Sequence, residues 1–443
     1  MNTARLPGST ASLESTLSSS ERFIILTASF LGWMFAGVEM ALLPLVADDA
    51  TVSFLAAADS TVAADALKPI VARWFIAYLV AFLFGGATGG LVFGWFADRA
   101  GRVRAMGLSI LCFSGFTGLS YFATGPEMLL VLRFLACLGI GGMWPAAVSL
   151  VNEAWPRVSR PFLAGLIGAS ANLGIFLFGL IASRMQVSPE SWRWVMLVGA
   201  MPAVLGVLVL LLVKESPSWL LARQQRASRS QTTVAEVFGP RYRRRTLVGI
   251  VLGAVPLLGA WGSQKWMLPW AGQVGMAIGD LSLKADTQVI WGIGATLGSL
   301  IGGPVASYCG RRVTYLGISL GSTCLAVGLF RYIEPARQWD FFGCVFALGL
   351  VSTMFFGWLP LCLPELFPTS VRATGSGVTF NFGRVISALV ILGTLGLVDT
   401  FGGDYARLGA TTSWIYLLGA VAIWFLPQSA RDQSEEEARP ESE

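Results

Sequence analysis

Four charged residues lie within long apolar stretches of the sequence: Glu39, Arg133, Lys265 and Arg384. A charge at the centre of a membrane-spanning helix costs about 2.5–3.5 kcal/mol on the insertion scale, so each one indicates a function or a specific partner. The sequence contains no histidine, the side chain that most often carries protons near neutral pH. Proton exchange would therefore need a carboxylate such as Glu39, whereas Lys265 and Arg384 could hold an anion.

The apolar stretches are the elements that must position these side chains. Of 443 residues, 54% are hydrophobic and 13% are charged, against roughly 25% charged in soluble domains; the mean hydropathy is +0.66. Backbone groups in lipid must pair within their own segment, so we expect an all-α membrane protein of twelve transmembrane helices. The predicted spans are 23–46, 74–96, 105–123, 128–151, 161–183, 194–213, 247–270, 286–307, 313–330, 341–363, 373–398 and 410–427.

The predicted spans divide the chain into two halves of six. We expect an N-terminal segment 1–22, a six-helix bundle 23–213, a linker 214–245, a second six-helix bundle 246–427 and an acidic tail 428–443.

Charge placement predicts the orientation. Most of the 31 Lys and Arg residues lie in segments on the side of the two termini, and basic loops are retained in the cytoplasm. The predicted external loop 47–73 carries acids instead, among them Asp48 and Asp49. We therefore expect both termini in the cytoplasm of a cell (inner) membrane. The net charge of +5 then indicates contact with lipid headgroups rather than nucleic acid.

One loop motif occurs twice. Gly94–Arg102 (GWFADRAGR) returns 209 residues later as Gly303–Arg311 (GPVASYCGR), and Asn172 returns as Asn381 at the same offset. An E-x-x-P-x-x-x-R motif follows spans 4 and 10. Since each half contains an even number of spans, these repeats predict two bundles in parallel orientation.

The doubled motifs and the 6+6 arrangement resemble the major facilitator superfamily over nearly the whole chain. The resemblance implies alternating access, in which two bundles rock around a central site. It also implies a network that locks one state, in which Asp98 accepts from a helix N-terminus of the other half and Arg99 and Arg102 pair with acids. The residues assigned to this network are Asp98, Arg99, Arg102, Glu153, Arg160, Arg311, Glu365 and Arg372.

Two shorter segments narrow the resemblance. Gly32–Glu39 (GWMFAGVE) is similar to the first-span signature G-W-x-F-D-G-x-D of bacterial symporters for aromatic acids, sialate and monocarboxylates, with Ala36 and Glu39 at the acidic positions. Lys214–Leu220 (KESPSWL) is similar to the segment after span 6 in sugar porters, but span 7 lacks their paired glutamines.

Glu39 and Arg133 have similar predicted depths in the membrane, about 24 Å along span 1 and about 8 Å along span 4 at ~1.5 Å per residue. Sugar porters and relatives that cotransport protons are similar in placing an acid of span 1 opposite an arginine of span 4. Burial disfavours an ionised carboxylate and a nearby arginine favours it, so a pair that forms and separates would take up and release a proton. The alternatives are a permanent structural ion pair and an Arg133 that snorkels outward.

Arg384 is predicted near the midplane of span 11, where its counterpart in the first half is Ile175. A guanidinium can hold a carboxylate with two parallel hydrogen bonds, and organic-anion members of the family are similar in carrying an arginine here. Pairing with an acid is the alternative. For Lys265, near the outer face, snorkelling is the competing interpretation, and for the amides it is interhelical bonding. The candidate substrate-binding residues are Arg384, Asn381, Asn172, Gln264, Lys265 and Trp261.

Together these features predict a monomeric secondary transporter, with proton-coupled symport of a small organic anion such as a monocarboxylate as the expected activity. A proton-coupled sugar transporter is the alternative, drug–proton antiport is a third possibility that Arg384 and Lys265 disfavour, and a transporter-like nutrient sensor belongs to another class. The sequence shows no Walker loop, no metal-ligand cluster and no catalytic constellation. We therefore expect no enzyme activity, cofactor or metal.

Overall fold

The computed structural model describes residues 17–58, 64–155, 160–216, 219–220, 234–367 and 371–426. This part of the chain is helical without strands and contains twelve helices that are long and apolar enough to cross a membrane, so the predicted fold class is confirmed. The helices are α1 Ser19–Ala58, α2 Ala64–Ala100, α3 Arg102–Ser120, α4 Pro126–Ala154, α5 Arg160–Met185, α6 Arg193–Leu212, α7 Arg243–Ile278, α8 Leu283–Cys309, α9 Arg311–Tyr332, α10 Gln338–Cys362, α11 Arg372–Gly393 with its continuation Leu395–Phe401, and α12 Tyr405–Phe425.

The two ends of the helix bundle are distinguished by the helix connections that lie there. The linker end is where α6 ends and α7 begins; the far end is where α1 ends and α2 begins. A four-residue helix, Val234–Val237, lies in the linker. The predicted tail 428–443 and residues 1–16 of the predicted N-terminal segment lie outside the described residues.

The far end of α1 differs from the prediction. The helix continues to Ala58, so Asp48 and Asp49 lie in a helix and not in the predicted loop 47–73. Asp49 pairs with Lys284 of α8 at 3.1 Å, and Asp48 faces the Tyr405 hydroxyl of α12. Both acids of this part of α1 thus contact the second half.

Helix α7 is irregular. An α-helical part ending at Leu257 is followed by a π turn, Leu258–Ser263, a 3₁₀ turn, Gln264–Trp266, and a second α-helical part from Met267. A π turn adds a residue to the helical repeat and therefore rotates the side chains that follow it. Periodicity along the predicted span 247–270 could not show where these side chains point.

Small residues let the helices approach closely. A Cβ added to Gly141 of α4 would lie 2.0 Å from the carbonyl oxygen of Gly86 in α2, and one added to Gly298 of α8 would lie 2.0 Å from that of Leu350 in α10. The α2–α4 and α8–α10 contacts are the most extensive within their halves, whereas α5–α8 and α2–α11 join the halves.

The repeated loop motif makes the same turn in both halves. Gly101, between α2 and α3, has φ +118°, and its counterpart Gly310, between α8 and α9, has φ +85°. These values lie in the region that favours glycine, so the glycine of the motif is required by the tight helix–loop–helix turn.

Candidate functional site

Glu39 and Arg133 meet inside the first half. Arg133 Nη1 donates to Glu39 Oε2 at 3.1 Å, and Thr117 of α3 donates to the same oxygen at 2.7 Å. Glu39 is 0% exposed and Arg133 is 1% exposed, so Arg133 does not snorkel outward. A Cβ added to Gly199 of α6 would lie 2.8 Å from Glu39 Oε1, which shows that α6 closes the site.

The pair is incompletely satisfied. Among the described residues, neither Glu39 Oε1 nor Arg133 Nε has a hydrogen-bond partner. Thr117, which no sequence pattern identified, also accepts from Arg133 Nη1 at 2.9 Å. The arrangement holds a carboxylate in place and leaves one of its oxygens free, which is suited to binding a proton.

Lys265 lies inside the second half, on the 3₁₀ turn of α7. Its residue exposure is 3%, and its Nζ lies 5.0 Å from the ring centroid of Trp261 and 4.9 Å from that of Trp291. The snorkelling interpretation of Lys265 is therefore wrong, because the irregular turn directs the side chain between two indoles rather than toward the membrane surface. Indole faces attract a cation without neutralising it.

Gln264 is fixed at both ends of its amide. Its Oε1 accepts from Trp291 Nε1 at 2.7 Å, and its Nε2 donates to the Tyr416 hydroxyl at 2.5 Å. These bonds tie α7 to α8 and α12. Gln264 therefore positions the Trp291 indole beside Lys265, and both of its own amide atoms are hydrogen-bonded.

Arg384 lies at the boundary between the halves. Its Nη1 donates to the carbonyl oxygen of Gly86 at 3.0 Å, and its Cζ lies 4.8 Å above the Phe380 ring. In the part of the chain that the structure describes, no carboxylate pairs with Arg384 or with Lys265. Pairing with an acid thus does not account for Arg384.

Trp261, which contacts Lys265, and Arg384 both reach the same face of α2. The Phe82 ring packs against Trp261 with centroids 4.1 Å apart, and Gly86, one turn further along α2, meets Arg384. Four residues of helix correspond to about 6 Å of rise. The Trp261 indole beside Lys265 and the guanidinium of Arg384 therefore contact adjacent turns on one face of α2.

The two repeated asparagines contact helices. Asn172 Nδ2 donates to Ser299 Oγ at 2.8 Å and so links α5 to α8. Asn381 Nδ2 donates to Gly377 O at 3.0 Å within α11, while its Oδ1 lies 2.6 Å from the position of a Cβ built on Gly90. Asn172 thus acts as an interhelical link, and Asn381 extends the α2–α11 contact toward the linker end.

At the linker end, Arg102 organises the first copy of the loop motif. Arg102 pairs with Asp98 at 3.1 Å and with Glu153 at 3.4 Å. Glu215 accepts from the backbone nitrogen of Arg102 at 3.0 Å, and Trp219 Nε1 donates to the carbonyl oxygen of Asp98 at 3.1 Å. The last two contacts were not predicted, although both residues belong to the KESPSWL segment.

Of the other residues in the predicted locking network, Arg311 makes an ion pair, whereas Arg99 contacts an aromatic ring. Arg311 pairs with Glu365 at 2.5 Å. Arg99, expected to pair with an acid, instead lies 4.2 Å from the ring centroid of the exposed Trp95, where a cation–π contact takes the place of an ion pair. The side chains of Arg160 and Arg372 lie outside the described residues.

At the far end, polar contacts cross between the halves. Asp49 pairs with Lys284 at 3.1 Å, and Arg73 of α2 pairs with Asp399 of α11. The Phe75 ring packs against Trp266 of α7 with centroids 5.2 Å apart. These contacts close the far end of the boundary, and sequence reasoning missed them because each joins distant segments.

Comparisons with known proteins agree with this architecture. A family model described as Major Facilitator Superfamily matches residues 23–392. The chain is 28% identical to a "Probable 4-methylmuconolactone transporter" of Cupriavidus pinatubonensis (77% of this chain, 79% of that protein) and 26% identical to the cis,cis-muconate transport protein of Acinetobacter baylyi (79% and 84%).

A similar solved structure is that of the xylose transporter XylE of E. coli, described as a partially occluded inward open conformation. It superposes with a TM-score of 0.69 at 16% identity and covers 93% of this chain and 99% of that one. A crystal structure of a D-xylose-proton symporter superposes with a TM-score of 0.67 at 19% identity, over 92% of this chain and 97% of that one. At this identity the likeness concerns the fold. With twelve apolar helices and a family match across most of its length, the chain is an integral multi-pass membrane protein that belongs to the Major Facilitator Superfamily of transporters.

Proposed function

We propose that this protein carries a small organic acid, with an aromatic or unsaturated carbon skeleton, across the cell membrane together with a proton. The observation that carries the proposal is the pair of cations Lys265 of α7 and Arg384 of α11, neither of which has a carboxylate partner among the described residues. Trp261, which contacts Lys265, packs on Phe82 of α2, and Arg384 bonds Gly86 one turn further along the same helix. A buried cation is costly unless it is paired. An anionic substrate would supply the missing negative charge.

The surroundings of Lys265 favour a flat substrate. Trp261 and Trp291 present their ring faces to its ammonium, and Trp261 also packs against Phe82 of the other half. Indole faces stack favourably with planar π-systems. The relatives named for cis,cis-muconate and 4-methylmuconolactone support this substrate class.

For proton coupling we assign Glu39, with Arg133 as its partner. Loss of charge on Glu39 would weaken its bond to Arg133 and leave the guanidinium to Thr117 and the backbone oxygen of Glu39. The same helix, α1, carries Asp49 about 15 Å further along. A displacement of α1 relative to α4 would therefore reach the Asp49–Lys284 pair that closes the far end.

The proposed cycle has two gates. With both termini in the cytoplasm, the far end is external and its cross-half pairs close it, while the network of Asp98, Arg102 and Glu153 is internal. Opening to the outside would break the far-end pairs and bring the two loop motifs together. Each monomer would complete this cycle without cofactor or metal.

Uptake into proteoliposomes tests the proposal. Labelled cis,cis-muconate, gentisate, benzoate and D-xylose are supplied with and without an inward proton gradient. We expect concentrative uptake of at least one carboxylate that collapses with a protonophore, and no uptake of D-xylose. Gradient-driven uptake of the sugar alone would refute the proposal.

A further inference from the structure

Gln288 of α8 is buried without a partner. It is 1% exposed, and neither its amide oxygen nor its amide nitrogen has a hydrogen-bonding partner in the part of the chain that the structure describes. No other buried amide among these residues has both atoms unpaired. Buried polar groups are normally hydrogen-bonded, so such a side chain calls for an explanation.

The position of Gln288 on α8 gives that explanation. Residues three, four or seven apart lie on one helix face, which places Gln288 beside Lys284, Trp291 and Ala295. Lys284 pairs with α1, Trp291 donates to α7, and the carbonyl oxygen of Ala295 accepts from α5. This face of α8 is therefore directed to the boundary between the halves. Along it, Gln288 lies between Lys284, which pairs with Asp49 at the far end, and Trp291, whose indole lies beside Lys265.

Bonding within the helix does not account for Gln288. Three short polar side chains of α8, Thr287, Thr296 and Ser299, donate to carbonyl oxygens four residues earlier in the same helix. A glutamine amide stands further from the backbone, and that of Gln288 makes no such bond. The neighbouring Gln264, in contrast, has both amide ends occupied.

The geometry points to Gln288 as a substrate-contacting residue that sets specificity, an inference that rests on the proposed function. Lys265 takes the carboxylate of the acid, Trp291 takes its flat face, and the Gln288 amide takes a second polar group at the other end of the molecule. An amide both donates and accepts, so it suits a hydroxyl, a lactone carbonyl or a second carboxylate. The substrate class is thus a planar carboxylic acid with a second hydrogen-bonding group.

Binding to the purified full-length protein tests the inference through three probes. Benzoate has one carboxylate only, gentisate adds two hydroxyls, and cis,cis-muconate adds a second carboxylate. Affinities are measured by quenching of tryptophan fluorescence for the wild type, for Gln288→Leu and for the control Thr296→Val, which removes a hydroxyl elsewhere on α8. Lys265→Gln, measured with the same probes, reports on the proposed function.

For Gln288→Leu we expect affinity for gentisate and cis,cis-muconate to fall about tenfold, the usual scale for one lost hydrogen bond in a buried site, with that for benzoate nearly unchanged. The melting temperature without ligand should stay the same or rise, since the leucine removes an unpaired amide. Thr296→Val should change none of the three affinities. Where Gln288→Leu does not yield folded protein, Gln288→Asn should lower the gentisate-to-benzoate affinity ratio in the same direction.

Two results would overturn the inference while leaving the proposed function in place. One is an unchanged gentisate-to-benzoate ratio in the Gln288 variants while Lys265→Gln weakens all three acids. The other is an equal loss of all three affinities together with a lower melting temperature, which would make Gln288 structural. If the wild type binds none of the acids, the proposed function fails and the inference fails with it.

Discussion

Asp49 of α1 and Lys284 of α8 form a 3.1 Å ion pair that joins the two halves at the far end. Their side chains are 20% and 13% exposed, so water screens the pair less than it would at an open surface. Arg73 and Asp399 add a second, exposed pair between α2 and α11. The structure therefore represents a state in which the far end is closed.

Reversing the charges of this pair tests its role as a gate. Asp49→Lys and Lys284→Asp should each lower the transport rate, because like charges then face each other, and the double variant should recover most of the loss. Groups in contact typically show coupling energies of about 0.5–3 kcal/mol in such a cycle. Arg407→Asp, which breaks the exposed pair of Arg407 with Asp404 at the start of α12 and keeps Asp404 as the helix N-cap, serves as the control and should have no effect. Additive losses in the Asp49–Lys284 double variant would contradict the gate.

Replacing Glu39 by glutamine should separate proton coupling from substrate movement. Glutamine keeps the shape and the bond from Thr117 but cannot exchange a proton. Gradient-driven uptake should be lost, while exchange of labelled for unlabelled substrate across the vesicle membrane should persist. Glu190→Gln, at an exposed acid that bonds Ser188 between α5 and α6, is the matched control and should keep both activities. Retained gradient-driven uptake in Glu39→Gln would assign the proton to another group.

Arg384→Lys should weaken substrate binding although the charge is kept. Lysine cannot form two parallel bonds to a carboxylate, nor can it stack on Phe380 while bonding Gly86 as the guanidinium does. We expect KM to rise about tenfold, which corresponds to about 1.4 kcal/mol. Arg407→Lys, exposed at the start of α12, should leave KM unchanged. An unaltered KM in Arg384→Lys would remove Arg384 from the binding site.

Gly141→Ala should destabilise the first half. The added Cβ would lie 2.0 Å from the Gly86 carbonyl oxygen, so α2 and α4 would have to separate. Overpacking of this kind typically costs about 1–3 kcal/mol. A thermal unfolding curve in detergent should show a lower Tm for Gly141→Ala and no decrease for Gly343→Ala, where nothing lies within 4 Å. Equal Tm values for the two variants would contradict the close crossing.

Much of the candidate site could be predicted from the sequence. The charges within apolar runs identified Glu39, Arg133, Lys265 and Arg384, because an isolated charge in a membrane helix is rare. Depth counted along straight helices also brought Glu39 and Arg133 to the same level. The structure then placed them in direct contact. Their roles in coupling and binding stay predictions until the variants are measured.

The same reasoning failed where a helix departs from regularity or where a partner is distant in sequence. It left snorkelling open as an interpretation of Lys265, because counting residues along span 7 assumes a regular helix. The π turn Leu258–Ser263 and the 3₁₀ turn after it place the lysine between two indoles instead. The same reasoning also gave no signal for Gln288, which is one polar residue in an apolar stretch, and none for the pairing of Asp49 with Lys284. Only the packing of α8 against α5 and α7, together with the ion pair to α1, makes these residues significant.

What the sequence by itself determined is therefore the twelve helices and their duplication. A backbone in lipid must satisfy its hydrogen bonds locally, so apolar length alone predicts each helix, and the repeated loop motifs pair the halves. What only the tertiary structure decided is which side chains meet at the boundary of the halves. Such contacts join residues up to hundreds of positions apart, as Gly86 and Arg384 do. They depend on how the helices pack, which the residues near each partner in the sequence do not specify.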